Sequence, residues 1–123
     1  MAHRGYRDLR VYQLSYQLAI EVFKATKGFP AEEKYSLTDQ LRRSSRSVPA
    51  NVAEAWKKRK YPKSFVNKLI DAFGEAGETE VWIDTSRDCG YLSRENHAYF
   101  AEKYDEVSRM LNGMITQPEK FCY

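Results

Sequence analysis

The sequence is poor in the residues that staple chains, ligate metals or begin catalytic motifs. It has two cysteines, Cys89 and Cys122, far apart along the chain. They are too few for a disulfide framework or a thiolate metal site, so free thiols are expected. It has two histidines, His3 and His97. Neither stands three residues after a glutamate, the spacing a di-metal helical bundle uses. No glycine-rich phosphate loop, HExxH or nucleophile elbow occurs. No catalytic residue, metal or cofactor is therefore expected, and the chain reads as a non-enzyme. No apolar run approaches the ~20 residues of a membrane span, and no signal-peptide hydrophobic segment is evident. The expectation is a cytoplasmic protein that does not engage a membrane. Period-two alternation of apolar and polar residues is also missing, which argues against strands.

What is present is enough apolar sequence, 42% of 123 residues, for one self-sufficient core and a single domain over 1–123. The net charge of +3 conceals a division. Residues 1–68 carry 15 Lys/Arg against 6 Asp/Glu, or +9, while residues 69–123 carry 5 against 11, or −6. Such a division gives either a bipolar surface or basic helices folded against acidic ones.

Apolar residues recur at spacings of three and four in four segments, about 8–26, 36–59, 62–89 and 93–117. The first has Val11, Leu14, Leu18, Val22 and Ala25, and stops at Gly28 and Pro30. The second has Leu37, Leu41, Ser45, Val48, Val52 and Trp56, with Ser36 and Asp39 suggesting a capping box. Pro49 interrupts its hydrogen bonding, and a kinked but continuous helix is expected because the stripe keeps phase beyond it. The third begins at Pro62 and ends before Gly90, with Phe65, Leu69, Phe73, Ala76 and Ile83 facing inward. Its Gly74 and Gly77 suggest close approach of a neighbouring helix. The fourth is capped by Ser93 and carries Phe100, Tyr104, Val107, Leu111 and Met114. The last residues, 118–123, are expected to fray unless Phe121 or Tyr123 docks. Short connections make this an all-α, antiparallel up-and-down four-helix bundle.

The first helix has a second apolar stripe, Tyr12, Tyr16, Ile20 and Phe23. It lies opposite the first, at ~100° per residue. No helix of a four-helix bundle is central, so this stripe is a candidate oligomer interface. The competing reading is that Tyr12 and Tyr16 only widen the core.

The basic residues cluster on the second helix and its exit: Arg42, Arg43 and Arg46, then Lys57, Lys58, Arg59, Lys60 and Lys63. Tyr61 and Phe65 lie among or beside the lysines. Such a set suits a phosphate backbone with unpaired bases stacked alongside. The competing readings are a solvated helix end that favours the dipole, and pairing of Arg42 with Glu78 or Glu80. The carboxylates of the third helix, Asp71, Glu75, Glu78, Glu80, Asp84 and Asp88, are better explained as partners of Arg42 and Arg43, or of a neighbouring subunit's basic face, than as metal ligands.

Several stretches carry a resemblance: DLRVYQ at 8–13, FPAEEKYSLTDQLRR at 29–43, RSVPANVAEA at 46–55, GEAGETE at 74–80, and the Gly90-Tyr91 stop. In this order they resemble the bundle proteins encoded by intervening sequences of bacterial 23S rRNA genes, a family similar to the accessory protein of diversity-generating retroelements. The resemblance implies a ring-shaped homo-oligomer, a pentamer, that binds nucleic acid. Alternatively, it implies an adaptor docking a nucleic-acid enzyme such as a reverse transcriptase. Two positions depart from the family pattern. Ala55 replaces a glycine, which lets the second helix run further, and Arg46 adds charge to an already basic helix.

Overall fold

The computed structural model describes residues 3–123. Four helices make up the fold: α1 (Arg10–Thr26), α2 (Leu37–Lys57), α3 (Pro62–Asp88) and α4 (Arg94–Thr116). Short 3₁₀ turns occur at Tyr6–Asp8, Ala31–Glu33 and Pro118–Lys120. No strand occurs among the described residues, and none of their helices is long and apolar enough to cross a membrane. Contacts between neighbours run in opposite directions along the chain. Arg43 meets Glu78 while Glu54 meets Lys68; Arg10 meets Glu106 at the other end of α1 from the Thr26–Arg42 contact. Sequential helices are therefore antiparallel. α1 and α3 run parallel at opposite corners, each packed on α2 and α4.

The helix ends follow local chemistry. α2 continues through Pro49, whose ring is itself buried; the stripe holds its phase to Val52 and Trp56, both buried. It stops at Lys57, two residues earlier than expected. Lys58 and Arg59 donate only to the carbonyls of Ala55 and Trp56, and Pro62 forces Tyr61 into the extended region (φ −118°, ψ 93°). Ala55 is buried inside the last turns rather than extending them. The Ser36 cap does not form: its side chain makes no capping bond. Glu33 Oε1 instead accepts from the Leu37 amide at 3.3 Å, so a carboxylate from the preceding 3₁₀ turn does that work. Ser93 does cap α4, accepting from the Asn96 amide at 3.0 Å. Gly90, at φ +79°, reverses the chain after α3, so that the Tyr91 and Leu92 amides both reach the Ser86 carbonyl.

The core forms where the stripes converge. All five expected α4 residues are buried. In α1 the inner face is rotated from the expected one: Ser15, Ala19 and Thr26 join Val11, Leu18 and Val22, while Leu14 and Ala25 are only half-buried. In α3, Phe73 is exposed, not internal, and Ala72 and Thr79 are buried instead. Thr79 belongs to the α2–α3 seam, the most extensive contact between helices. Ser44, Ser45, Ala55, Ala72, Ala76 and Thr79 are fully buried, and Thr79 donates to Ser44 across it at 2.9 Å. Small residues let these two helices come close. Gly74 and Gly77 do not serve that approach: a Cβ at either would meet nothing within 4 Å. Both lie on the outward side of α3. There each costs the helix about 0.5–1 kcal/mol relative to alanine.

The chain end is packed. Phe121 stacks on Phe65 with centroids 6.1 Å apart, and Cys122 packs against the core. Trp56 is buried, and Trp82 is half-buried with its Nε1 donating to Glu78 at 3.1 Å. Asn51 donates to the Ser47 carbonyl, and Glu54 takes the Lys68 ammonium, which holds its carboxyl below the usual range.

Tyr104 is fully buried, and among the described residues its hydroxyl has no hydrogen-bond partner. Burial accordingly pushes its pKa up. Removing an unpaired buried hydroxyl relieves a desolvation cost. Tyr104→Phe should leave stability unchanged or raise it by about 1 kcal/mol, measured by urea unfolding at fixed protein concentration. Gly90→Ala should lower stability by about 1 kcal/mol, because a Cβ is strained at positive φ.

Candidate nucleic-acid interface

The seam that pulls α2 onto α3 also fixes the rotation of α2, and so decides where each of its basic side chains goes. Arg43 faces α3. It contacts Glu75 at 3.4 Å and Glu78 more closely. Desolvation works against its charge, but the hydrogen bonds and charges of the two glutamates prevail and raise its pKa further. Arg42, one position on, faces α1. Its Nε donates to Thr26 Oγ1 at 2.7 Å, and its guanidinium lies 4.7 Å from the centre of the Phe23 ring. Arg46 covers the same ring at 5.7 Å. The expected alternative of Arg42 meeting Glu78 or Glu80 is thus realised by Arg43, with Glu75 in place of Glu80. Glu80 instead lies between α3 and α4, where burial and the nearby Asp105 and Asp84 raise its pKa.

The second cluster sits at the far end of α2. Lys57, Lys58, Lys60 and Lys63 are exposed, and Arg59 is half-buried. The Arg59 guanidinium lies over the Trp56 ring, 3.7 Å from its centre, with Tyr123 at 5.1 Å, and its Nε donates to the Trp56 carbonyl. Among the described residues, none of Arg42, Arg46, Lys57, Lys58, Arg59, Lys60 and Lys63 forms an ion pair. Of the eight basic residues singled out in the sequence, only Arg43 is neutralised. The expected aromatic neighbours divide: Tyr61 is 62% exposed, whereas Phe65 is buried and unavailable for stacking.

The structure adds members that the helix pattern did not reveal. Lys34 and the 85%-exposed Tyr35 precede α2. With Thr38, Asp39, Arg42, Arg43 and Arg46 they line an open groove of about 640 Å³. At the other end, Arg4, Tyr6, Arg7, Trp56, Lys57, Arg59 and Tyr123 line a second groove of about 540 Å³, with Lys57 Nζ 6.0 Å from the Tyr6 ring. The two grooves lie toward opposite ends of α2, a helix about 30 Å long at ~1.5 Å per residue. Adjacent Lys-Tyr residues before a helix were the available signal for the first. For the second there was none, because it joins three separate parts of the chain.

The outer stripe of α1 is partly withdrawn from solvent. Tyr12 is half-buried and packs on the core edge, as the competing reading held, and Phe23 lies half-buried beneath the two arginines. Tyr16 and Ile20 are 52% and 42% exposed. With Ala19, Phe23, Arg46 and Pro49 they line an apolar groove of about 390 Å³ between α1 and α2. A further apolar group is exposed on α3: Ile70, Phe73 and Val81. Elsewhere, His97 Nε2 lies 2.8 Å from Asp84 and 3.1 Å from Arg87, an exposed contact joining α3 to α4. Among the described residues no three His, Cys, Asp or Glu side chains gather as a metal ion would require.

Comparison with known proteins agrees with this architecture. A crystal structure from Bacteroides thetaiotaomicron, described as a protein of unknown function from the S23 ribosomal protein family, superposes with a TM-score of 0.78 at 29% identity. The match covers 86% of this chain and 95% of that one. No curated protein matches the sequence. The profile of the 23S rRNA-intervening sequence proteins matches residues 7–113. With nearly the whole bundle inside that match, the chain belongs to the 23S rRNA-intervening sequence protein family.

Proposed function

We propose that this protein is a non-enzymatic, homo-oligomeric bundle that binds RNA or single-stranded DNA through the solvent face of α2 and its flanking turns. The observation that carries this reading is the set of cations without carboxylate partners along α2, in a fold whose third helix has carboxylates to spare. α3 takes Arg43 and leaves the others free. Unpaired guanidinium and ammonium groups release counterions from a phosphate backbone. Tyr35 and Tyr61, both largely exposed beside them, offer surfaces on which unpaired bases stack. Contacts to phosphate position a strand without reading its bases, so the binding is sequence-tolerant. Association through Tyr16 and Ile20 would repeat the basic face on every copy and add avidity.

Binding of a fluorescent single-stranded RNA of about 20 nucleotides should weaken steeply between 50 and 200 mM salt. The combined substitutions Lys57→Glu, Lys58→Glu and Lys60→Glu should weaken it at least tenfold. They should also reduce the logarithmic salt slope by about 0.7 per lost phosphate contact, with helicity unchanged by circular dichroism. Absence of binding at low salt, or binding indifferent to salt, would end this reading. A partner protein captured through the same surface and retained after nuclease treatment would favour an adaptor instead. For the assembly, Tyr16→Glu with Ile20→Glu should give a soluble monomer by light scattering. Both side chains are exposed, so the fold should survive the change.

A further inference from the structure

We propose that the groove at the C-terminal end of α2 is a pocket for a nucleotide with a terminal phosphate, a phosphate monoester rather than the diester of a continuing strand. This rests on the reading that the basic face of α2 binds nucleic acid, and it names what that face recognises at one end.

The first observation is charge gathered from separate parts of the chain. The segment before α1, the exit of α2 and Tyr123 meet around about 540 Å³, within the range of small-ligand pockets. Arg4, Arg7, Lys57 and Arg59 line it, and Asp8 is the one carboxylate side chain among them. Asp8 Oδ2 already accepts from the Arg4 amide at 2.8 Å. Among the described residues none of the four cations forms an ion pair. The groove before α2 is poorer. Its Lys34, Arg42, Arg43 and Arg46 also face one aspartate, Asp39, but Arg43 is taken by Glu75 and Glu78. A phosphate diester carries one negative charge, whereas a monoester carries about 1.5–2 at pH 7. The monoester is the better match for four free cations.

The second observation is how Arg59 is held. Its guanidinium lies over Trp56, with Tyr123 beyond, and its Nε is bound to the Trp56 carbonyl. These contacts fix the group and leave its two Nη nitrogens as donors, a fork that fits two oxygens of one phosphate. The aromatic rings supply the rest of the pocket. Tyr123 is 80% exposed, so its ring is open to a stacked base. Tyr6 holds two of the cations together, with the Arg7 guanidinium 4.7 Å and Lys57 Nζ 6.0 Å from its ring centre. A strand end and a free mononucleotide share this chemistry, a base beside a phosphate monoester.

The test titrates the full chain with one single-stranded RNA in three forms: 5′-phosphate, 3′-phosphate, and hydroxyls at both ends. Adenosine monophosphate is titrated alongside, all at ~150 mM salt. A phosphate at one end should tighten binding about tenfold over the hydroxyl-ended strand, as one added charge-assisted pair would. Arg4→Gln with Arg7→Gln, both exposed and outside the four helices, should abolish that difference with helicity unchanged. Arg59→Lys keeps the charge but loses the fork. It should remove the preference while the hydroxyl-ended strand binds as before. A preference that survives both changes would overturn the pocket. If the three RNAs bind alike and adenosine monophosphate does not bind, the pocket is overturned while the general reading of α2 stands. If the RNAs bind alike or not at all, but adenosine monophosphate binds and Arg4→Gln with Arg7→Gln removes it, the ligand is the free nucleotide. If nothing binds, both readings fall.

Discussion

The close seam between α2 and α3 governs the rest of the molecule. Serines, alanines and one threonine line it, so the two backbones approach and Ser44 and Thr79 bond across the gap. Close approach leaves little rotational freedom. Once Ser44, Ser45, Val48 and Val52 face inward, Arg43 must point at α3 and Arg42 at α1. A seam of leucines would hold the helices further apart and specify this rotation less sharply.

Electrostatics follows from that rotation. The carboxylates of α3 do not neutralise the basic half of the chain wholesale. Glu75 and Glu78 take one arginine, Glu54 and Asp71 hold Lys68 at the other end, and Glu80 is turned toward α4. Surface pairs of this kind contribute little to stability; their consequence is to settle which cations stay available. Arg42 and Arg46 on Phe23, and Arg59 on Trp56, are held by aromatic faces instead. A guanidinium stacked on a ring keeps donors at its edge, whereas one engaged by two carboxylates has fewer to offer.

The same logic accounts for what lies outside. Helix faces not used by the core are ordinarily polar. Here α1 exposes Tyr16 and Ile20, and α3 exposes Ile70, Phe73 and Val81 around two glycines. These faces sit at opposite corners because antiparallel succession puts alternate helices on the diagonal. The basic face of α2 lies between them.

The sequence by itself determined the four helices, most of their ends and the α4 core, because spacing, capping serine and left-handed glycine act over one or two turns. It also determined that a surplus of positive charge would gather along α2. It did not determine which way Phe73 faced, since a helix apolar on two sides reads the same from either. Nor could it assign Arg42 and Arg43 to different neighbours, or bring Arg4, Trp56 and Tyr123 into one groove. Those outcomes depend on how closely two helices approach and how each is turned, which no local pattern encodes and only packing of the whole bundle decides.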